Sequence, residues 1–145
     1  MDFFSSMRVS ASGLEAQMKR MNSISSNIAN AETTKTEEGG PYRRQDPVFM
    51  SETDRETFGE ILKDQMDENV QGVRVADIVK DPSPPRMVYN PSHPEANAEG
   101  YVAMPNVNTV QEMANMISAT RSYESNVTTL NAAKAMAQKA LEIGR

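Results

Sequence analysis

Apolar residues recur with a helical rhythm at both ends of the chain. Met7, Ala11, Leu14, Met18, Met21, Ser25 and Ile28 are separated by alternating steps of four and three residues, the spacing of a heptad seam. Towards the other end, Met113, Met116, Thr120, Tyr123, Val127, Leu130, Lys134, Ala137 and Leu141 repeat that rhythm, with Lys134 the one break and Ala133 beside it. The second pattern predicts a helix over about residues 110–143, roughly 50 Å long at the standard rise per residue. Thr109 and Glu112 have the spacing of a capping box, and Gly144 sits where helices commonly stop.

Between the two seams the period changes. Val73, Val75, Ile78 and Val79 form one β-prone run, Arg86 to Tyr89 a second and Tyr101 to Met104 a third. Asp81, Pro82, Ser83, Pro84 and Pro85 close the first run, and Asn90 and Pro91 close the second. All eight prolines lie from Pro41 to Pro105, leaving both ends free to be helical. The stretch 51–71 is charge-rich and carries Phe58, Ile61, Leu62 and Met66 at helical spacing, which suits either a short amphipathic helix or a mobile loop. The expected fold is mainly α with a small β element, an α+β arrangement. Long N- and C-terminal helices pack as a coiled coil, with a small β domain inserted between them. Its segments are an N-terminal helix over 1–31, a β-rich part over 32–107 and a C-terminal helix over 108–145.

Two such stripes fit the core of a closed helical hairpin or the contact surfaces of a polymer. Ser5, Ser6, Ser10, Ser12, Asn22, Ser23, Ser25, Ser26, Asn27 and Asn30 fill the first helix where Glu and Lys pairs would ordinarily solvate it. Small polar residues permit close helix approach. Six of the eleven methionines fall in the helical segments, where a flexible thioether suits either gap-filling or contact with non-identical neighbours. Net charge is −5, and it is unevenly spread: residues 32–105 hold 15 acids against 8 bases, while the rest holds 5 against 7. No basic run exists to neutralise a row of phosphates, so nucleic acid is not an expected partner. No apolar run reaches membrane-spanning length or resembles a cleaved signal, and the absence of cysteine rules out disulfides and thiolate metal sites.

Candidate chemistry is thin. The single histidine, His93, lies between Pro91 and Pro94 with Asn90, Glu95 and Asn97 nearby, but one imidazole does not make a metal site. Glu37 with Glu38, and Asp64, Asp67 and Glu68, could supply an acid and base pair, yet their charge-rich surroundings point to solvation. Gly39 and Gly40 precede Pro41 rather than a helix, which is a turn signal rather than a phosphate cradle. No catalytic residue, metal or cofactor is expected.

Two stretches are more specific. Ser25-Ser26-Asn27-Ile28-Ala29-Asn30-Ala31-Glu32-Thr33-Thr34, with Gly39-Gly40-Pro41-Tyr42-Arg43-Arg44 and Pro47-Val48-Phe49 after it, resembles the N-terminal signature of flagellar axial proteins, the rod and hook subunits. Tyr89 to Asn108, running into the helix that carries Ser118-Ala119-Thr120-Arg121-Ser122-Tyr123-Glu124, resembles the basal-body rod proteins of the proximal rod in particular. Stretch 51–71 has no counterpart in that pattern and resembles a lengthened connection. The resemblance implies a subunit exported by the flagellar type III system without a cleaved signal and assembled in the periplasmic rod. Its partners would be copies of itself, other rod proteins and the hook-basal body protein FliE. The assembly contacts would then fall on Met7, Leu14, Met18, Met21, Ile28, Met113, Met116, Tyr123, Val127, Leu130 and Leu141. Asn27, Asn30 and Thr33 would form a helix-exit motif, the asparagines hydrogen-bonding the chain that leaves the first helix. A helical adaptor with no flagellar role, or another rod subunit, is the competing reading.

Overall fold

A computed structural model describes residues 3–52 and 71–143. In chain order these form helix α1 (Phe3–Ala29), strands β1 (Gln45–Glu52), β2 (Gly72–Lys80), β3 (Arg86–Tyr89) and β4 (Tyr101–Met104), and helix α2 (Thr109–Ile143). The two long terminal helices with a small two-hairpin β region between them are the architecture expected from the apolar periods. Of the charge-rich stretch, only Ser51 and Glu52, in β1, and Gln71 are described; Phe58, Ile61, Leu62 and Met66 lie outside, as does Gly144. No described helix is long and apolar enough to cross a membrane.

The helices pair antiparallel. Asn27 meets Glu112, Met21 meets Thr120 and Gly13 meets Asn126, so partner numbers run in opposite directions along one seam. A Cβ at Gly13 would lie 2.8 Å from Asn126 Nδ2, which shows how closely the backbones approach there. The side chains that α1 buries fully are Ala16, Ser23, Ile24 and Asn27; those of α2 are Glu112, Ala119 and Ala133. The α2 set falls at steps of seven, with the half-buried Asn126 completing the series. The contact line is therefore a heptad of small and polar residues. On α1 it runs about a third of a turn around the helix from the large apolar seam.

The hairpin β1–β2 is antiparallel from Gln45↔Lys80 to Glu52↔Gly72, with Ala76 as an extra residue between the pairs Val48↔Asp77 and Phe49↔Val75. It lies against α1. β1 is the strand that hydrophobic alternation failed to announce, because Gln45, Asp46 and Pro47 open it. Arg44 O accepts from Asp81 N across the ladder at 2.8 Å, so backbone alternation turns the groups of Gln45 and Pro47 to the open side. The missing N–H of Pro47 thus costs no ladder bond. On the other edge, Val73 N donates to Ser12 Oγ of α1 at 3.1 Å.

The hairpin β3–β4 pairs Arg86↔Met104 to Tyr89↔Tyr101. Its connection is tightly wound: Asn97 Oδ1 accepts from Glu99 N and Tyr101 N, and His93 Nδ1 accepts from Glu95 N at 3.2 Å. His93 has the turn-building role that a lone histidine among prolines suggests. Gly100 has φ +81°, and an added Cβ would come within 2.8 Å of Tyr89 Cε2 and 3.3 Å of Pro91 Cβ. Tyr89 stands edge-on to Tyr101 at 5.3 Å between ring centroids. Substituting Gly100→Ala should therefore destabilise the chain by about 1–3 kcal/mol through left-handed backbone strain alone, read as a lowered urea midpoint with displaced Tyr89 and Tyr101 resonances. An unchanged midpoint would mean that the turn relaxes freely.

Candidate functional site

The largest fully buried side chains include two polar ones, Glu112 at 1% exposure and Asn27 at 0%. They meet where the end of α1, the start of β1 and the first turns of α2 converge. Asn27 Nδ2 donates to Glu112 Oε2 and to Gln45 O, both at 2.9 Å. Asn27 Oδ1 accepts from Gln45 N at 2.8 Å and from Tyr42 Oη at 3.0 Å. All four capacities of the carboxamide are filled. A flipped amide would oppose two donors at Oδ1 with a third, so the network itself fixes the orientation. Asn27 engages both backbone groups of Gln45 as the peptide of a neighbouring strand would, and it covers the open edge of β1 at that point.

Glu112 is held by three donors. Besides Asn27, Arg44 Nε reaches Oε1 at 2.9 Å and Asn115 Nδ2 reaches it at 3.1 Å. Arg44 Nη1 also donates to Asp46 Oδ2 at 3.0 Å. Burial works against the charge on Arg44, but the hydrogen bonds and attraction of the Glu112 and Asp46 carboxylates outweigh it and hold its pKa above the ordinary guanidinium value. Ser26 Oγ completes the cluster 3.2 Å from Tyr42 Oη, whose proton goes to Asn27.

This arrangement corrects the expected capping box. Glu112 turns inward, and α2 is capped instead by Asn108, whose Oδ1 accepts from Val110 N at 3.1 Å and Gln111 N at 3.3 Å. Asn30 stays local: its Nδ2 donates to Ser26 O at 2.9 Å and its Oδ1 accepts from Thr33 Oγ1 at 3.2 Å, closing the end of α1. Asn27 reaches past the departing segment to Gln45, eighteen residues on. The sequence assigns Arg44, Tyr42 and Gln45 no role, and Glu112 only that of a capping residue. The available signal was a lone acid on the small-residue heptad of α2, where a solvated charge has no place.

The large apolar seam residues are placed differently. Met7, Leu14, Met21 and Ile28 on α1, and Met116, Tyr123, Val127 and Leu130 on α2, are half-buried. Met18, Met113 and Leu141 are exposed at 48%, 52% and 76%. Val110 and Ile117 flank Met113 on the outward face of α2, exposed at 76% and 57%.

Residues 7–35 match the family model for flagella basal body rod proteins, and residues 98–143 match the C-terminal model of flagellar basal body rod FlgEFG proteins. The flagellar basal-body rod protein FlgC of Borreliella burgdorferi is 46% identical over 99% of this chain and 98% of its own length. FlgC of Bacillus subtilis is 47% identical over the full length of both, and FlgC of Salmonella typhimurium is 39% identical over 94% of each. The chain belongs to the FlgC family of flagellar basal-body rod proteins. Its buried cluster joins the two stretches that match rod-protein models, with Asn27 in the first and Glu112 in the second.

Replacing Asn27 by Ala strips Gln45 N–H, Gln45 C=O and Glu112 of partners together. Several groups left unsatisfied at once, each costing about 1–3 kcal/mol, should lower stability by more than a cavity alone. Asn27→Asp keeps the acceptor for Gln45 and Tyr42 but sets a second carboxylate against Glu112, so it should be no better than Ala. The check is chemical unfolding of the three chains. Equal midpoints for Asn27→Ala and the unaltered chain would show that the cluster does not secure the helix pair.

Proposed function

We propose that the chain is a structural subunit of the flagellar basal-body proximal rod, polymerising through α1 and α2 with a mechanical rather than catalytic role. The observation that carries this reading is the distribution of apolar bulk. Among the described residues of the two helices, the buried apolar side chains are Ala16, Ile24, Ala119 and Ala133, three of them alanines. Val110, Met113, Ile117, Met18, Met136 and Leu141 are exposed on the two helices. Burial of a large aliphatic side chain contributes about 1.5–3 kcal/mol, and most of that stabilisation is left to be gained outside the single chain. A helix that is apolar on more than one face needs neighbours on more than one side.

In this reading α1 and α2 form part of the rod wall, line the export channel and carry torque from the motor. Shear is then resisted by whole seams rather than by single contacts. Partners are other copies of the chain, other rod proteins and FliE. The chain reaches the periplasmic rod unfolded through the flagellar type III system. The seam residues from Met7 to Ile28 and from Met113 to Leu141 supply the assembly contacts, with Asn27, Asn30 and Thr33 setting the exit from α1.

The test replaces outward residues and leaves the intrachain contact alone. Met18→Glu and Ile117→Glu should each change the stability of the free chain by no more than about 0.5 kcal/mol, as exposed substitutions do. In cells lacking the native copy, neither variant should complete rods or restore motility. Full rods with both variants, seen by electron microscopy of basal bodies, would exclude these faces from assembly and favour a helical adaptor.

A further inference from the structure

Methionine is the only sulfur chemistry in this chain, which has eleven methionines and no cysteine. Met50, Met87 and Met136 are exposed at 50%, 53% and 67%, and four others on the paired helices divide between the inner and outer faces. Met21 and Met116 lie towards the α1–α2 contact and are half-buried; Thr120 Oγ1 sits 3.7 Å from Met21 Sδ and donates to Met116 O at 2.9 Å. Met18 and Met113 lie outward on the same two helices, each with about half of its surface open. Met113 also sits between Val110 and Ile117, at the centre of an exposed aliphatic stripe.

We propose that Met18 and Met113 are oxidation sites that control incorporation of the chain, with a peroxide as oxidant. The thioether lone pair attacks one peroxide oxygen, the O–O bond breaks and water leaves. Sulfur loses two electrons and becomes a sulfoxide, and the peroxide is reduced. The sulfoxide turns a flexible apolar contact into a strongly polar, chiral one. An assembled neighbour would have to cover that S=O group without a donor to meet it, which disfavours docking. The intrachain contact is spared, because Met21 and Met116 are less open than Met18 and Met113 and its line is built from Ala16, Ser23, Ala119, Ala133 and the Asn27–Glu112 pair. Methionine sulfoxide is reducible by dedicated reductases, so the block is reversible. This inference rests on the proposed assembly through the outward helix faces.

Two measurements test it. The purified chain is treated with limiting hydrogen peroxide and followed by residue-resolved mass spectrometry. Met18 and Met113 should gain oxygen before Met21 and Met116; simultaneous oxidation of all four would overturn the sorting. Cells whose only copy is either the natural chain or a Met18→Leu, Met113→Leu chain are then pulsed with hydrogen peroxide during new rod synthesis. Relative to untreated cells carrying the same chain, the natural chain should lose most of its completed rods and the double variant few of them. Equal loss in both, or no loss in either, overturns the proposal. Normal rods with Ile117→Glu in untreated cells would instead mean that the assembly reading itself had failed.

Discussion

Glu112 can sit inside this molecule only because three donors reach its carboxylate at once. An ionised group removed from water needs its lone pairs filled, or the burial penalty of several kcal/mol remains. One donor comes from α1, one from the segment entering β1 and one from its own helix α2. None of the three elements can move away without exposing the others to that penalty. Asn27 extends the same constraint, since its amide holds Glu112 on one side and both backbone groups of Gln45 on the other. The helix pair and the first hairpin therefore settle as one unit.

That polar centre allows the rest of the helix contact to be small. With Asn27 and Glu112 setting the register at one end, and Gly13 close to Asn126 further along, the two helices approach over a line of alanines and serines. Ser12 fixes α1 at Val73 on one edge of the hairpin, and Asn27 fixes it at Gln45 on the other. The helix thus lies across the hairpin held by two polar clamps rather than by an apolar core. Met18, Val110, Met113, Ile117 and Leu141 are left facing outward, which is the distribution expected of a subunit and not of a closed monomer.

The second hairpin contributes differently. Its buried Val102, with Ala103, lines a cleft shared with Thr34, Lys35, Gly40 and Pro41 of the irregular segment after α1. Its rigidity comes from local hydrogen bonding at Asn97 and His93 and from the conformation that only Gly100 adopts without strain. The long match to rod-protein relatives spans this region as well.

The sequence alone determined the two terminal helices and three of the four strands, because period and turn chemistry are properties of neighbours along the chain. It also carried the family resemblance, in Ser25 to Thr34 and Tyr89 to Asn108. It did not reveal β1, since Gln45, Asp46 and Pro47 make sense as a strand only beside β2 and under Asn27. Nor did it reveal which face of each helix turns inward: the large apolar heptad and the small-residue heptad share one period, and hydrophobicity favoured the larger side chains. The tertiary structure chose the smaller line because Glu112, with Asn27 and Arg44 arriving from elsewhere in the chain, can be buried only there. Long-range satisfaction of a buried charge is a property of three distant segments together, and no local pattern encodes it.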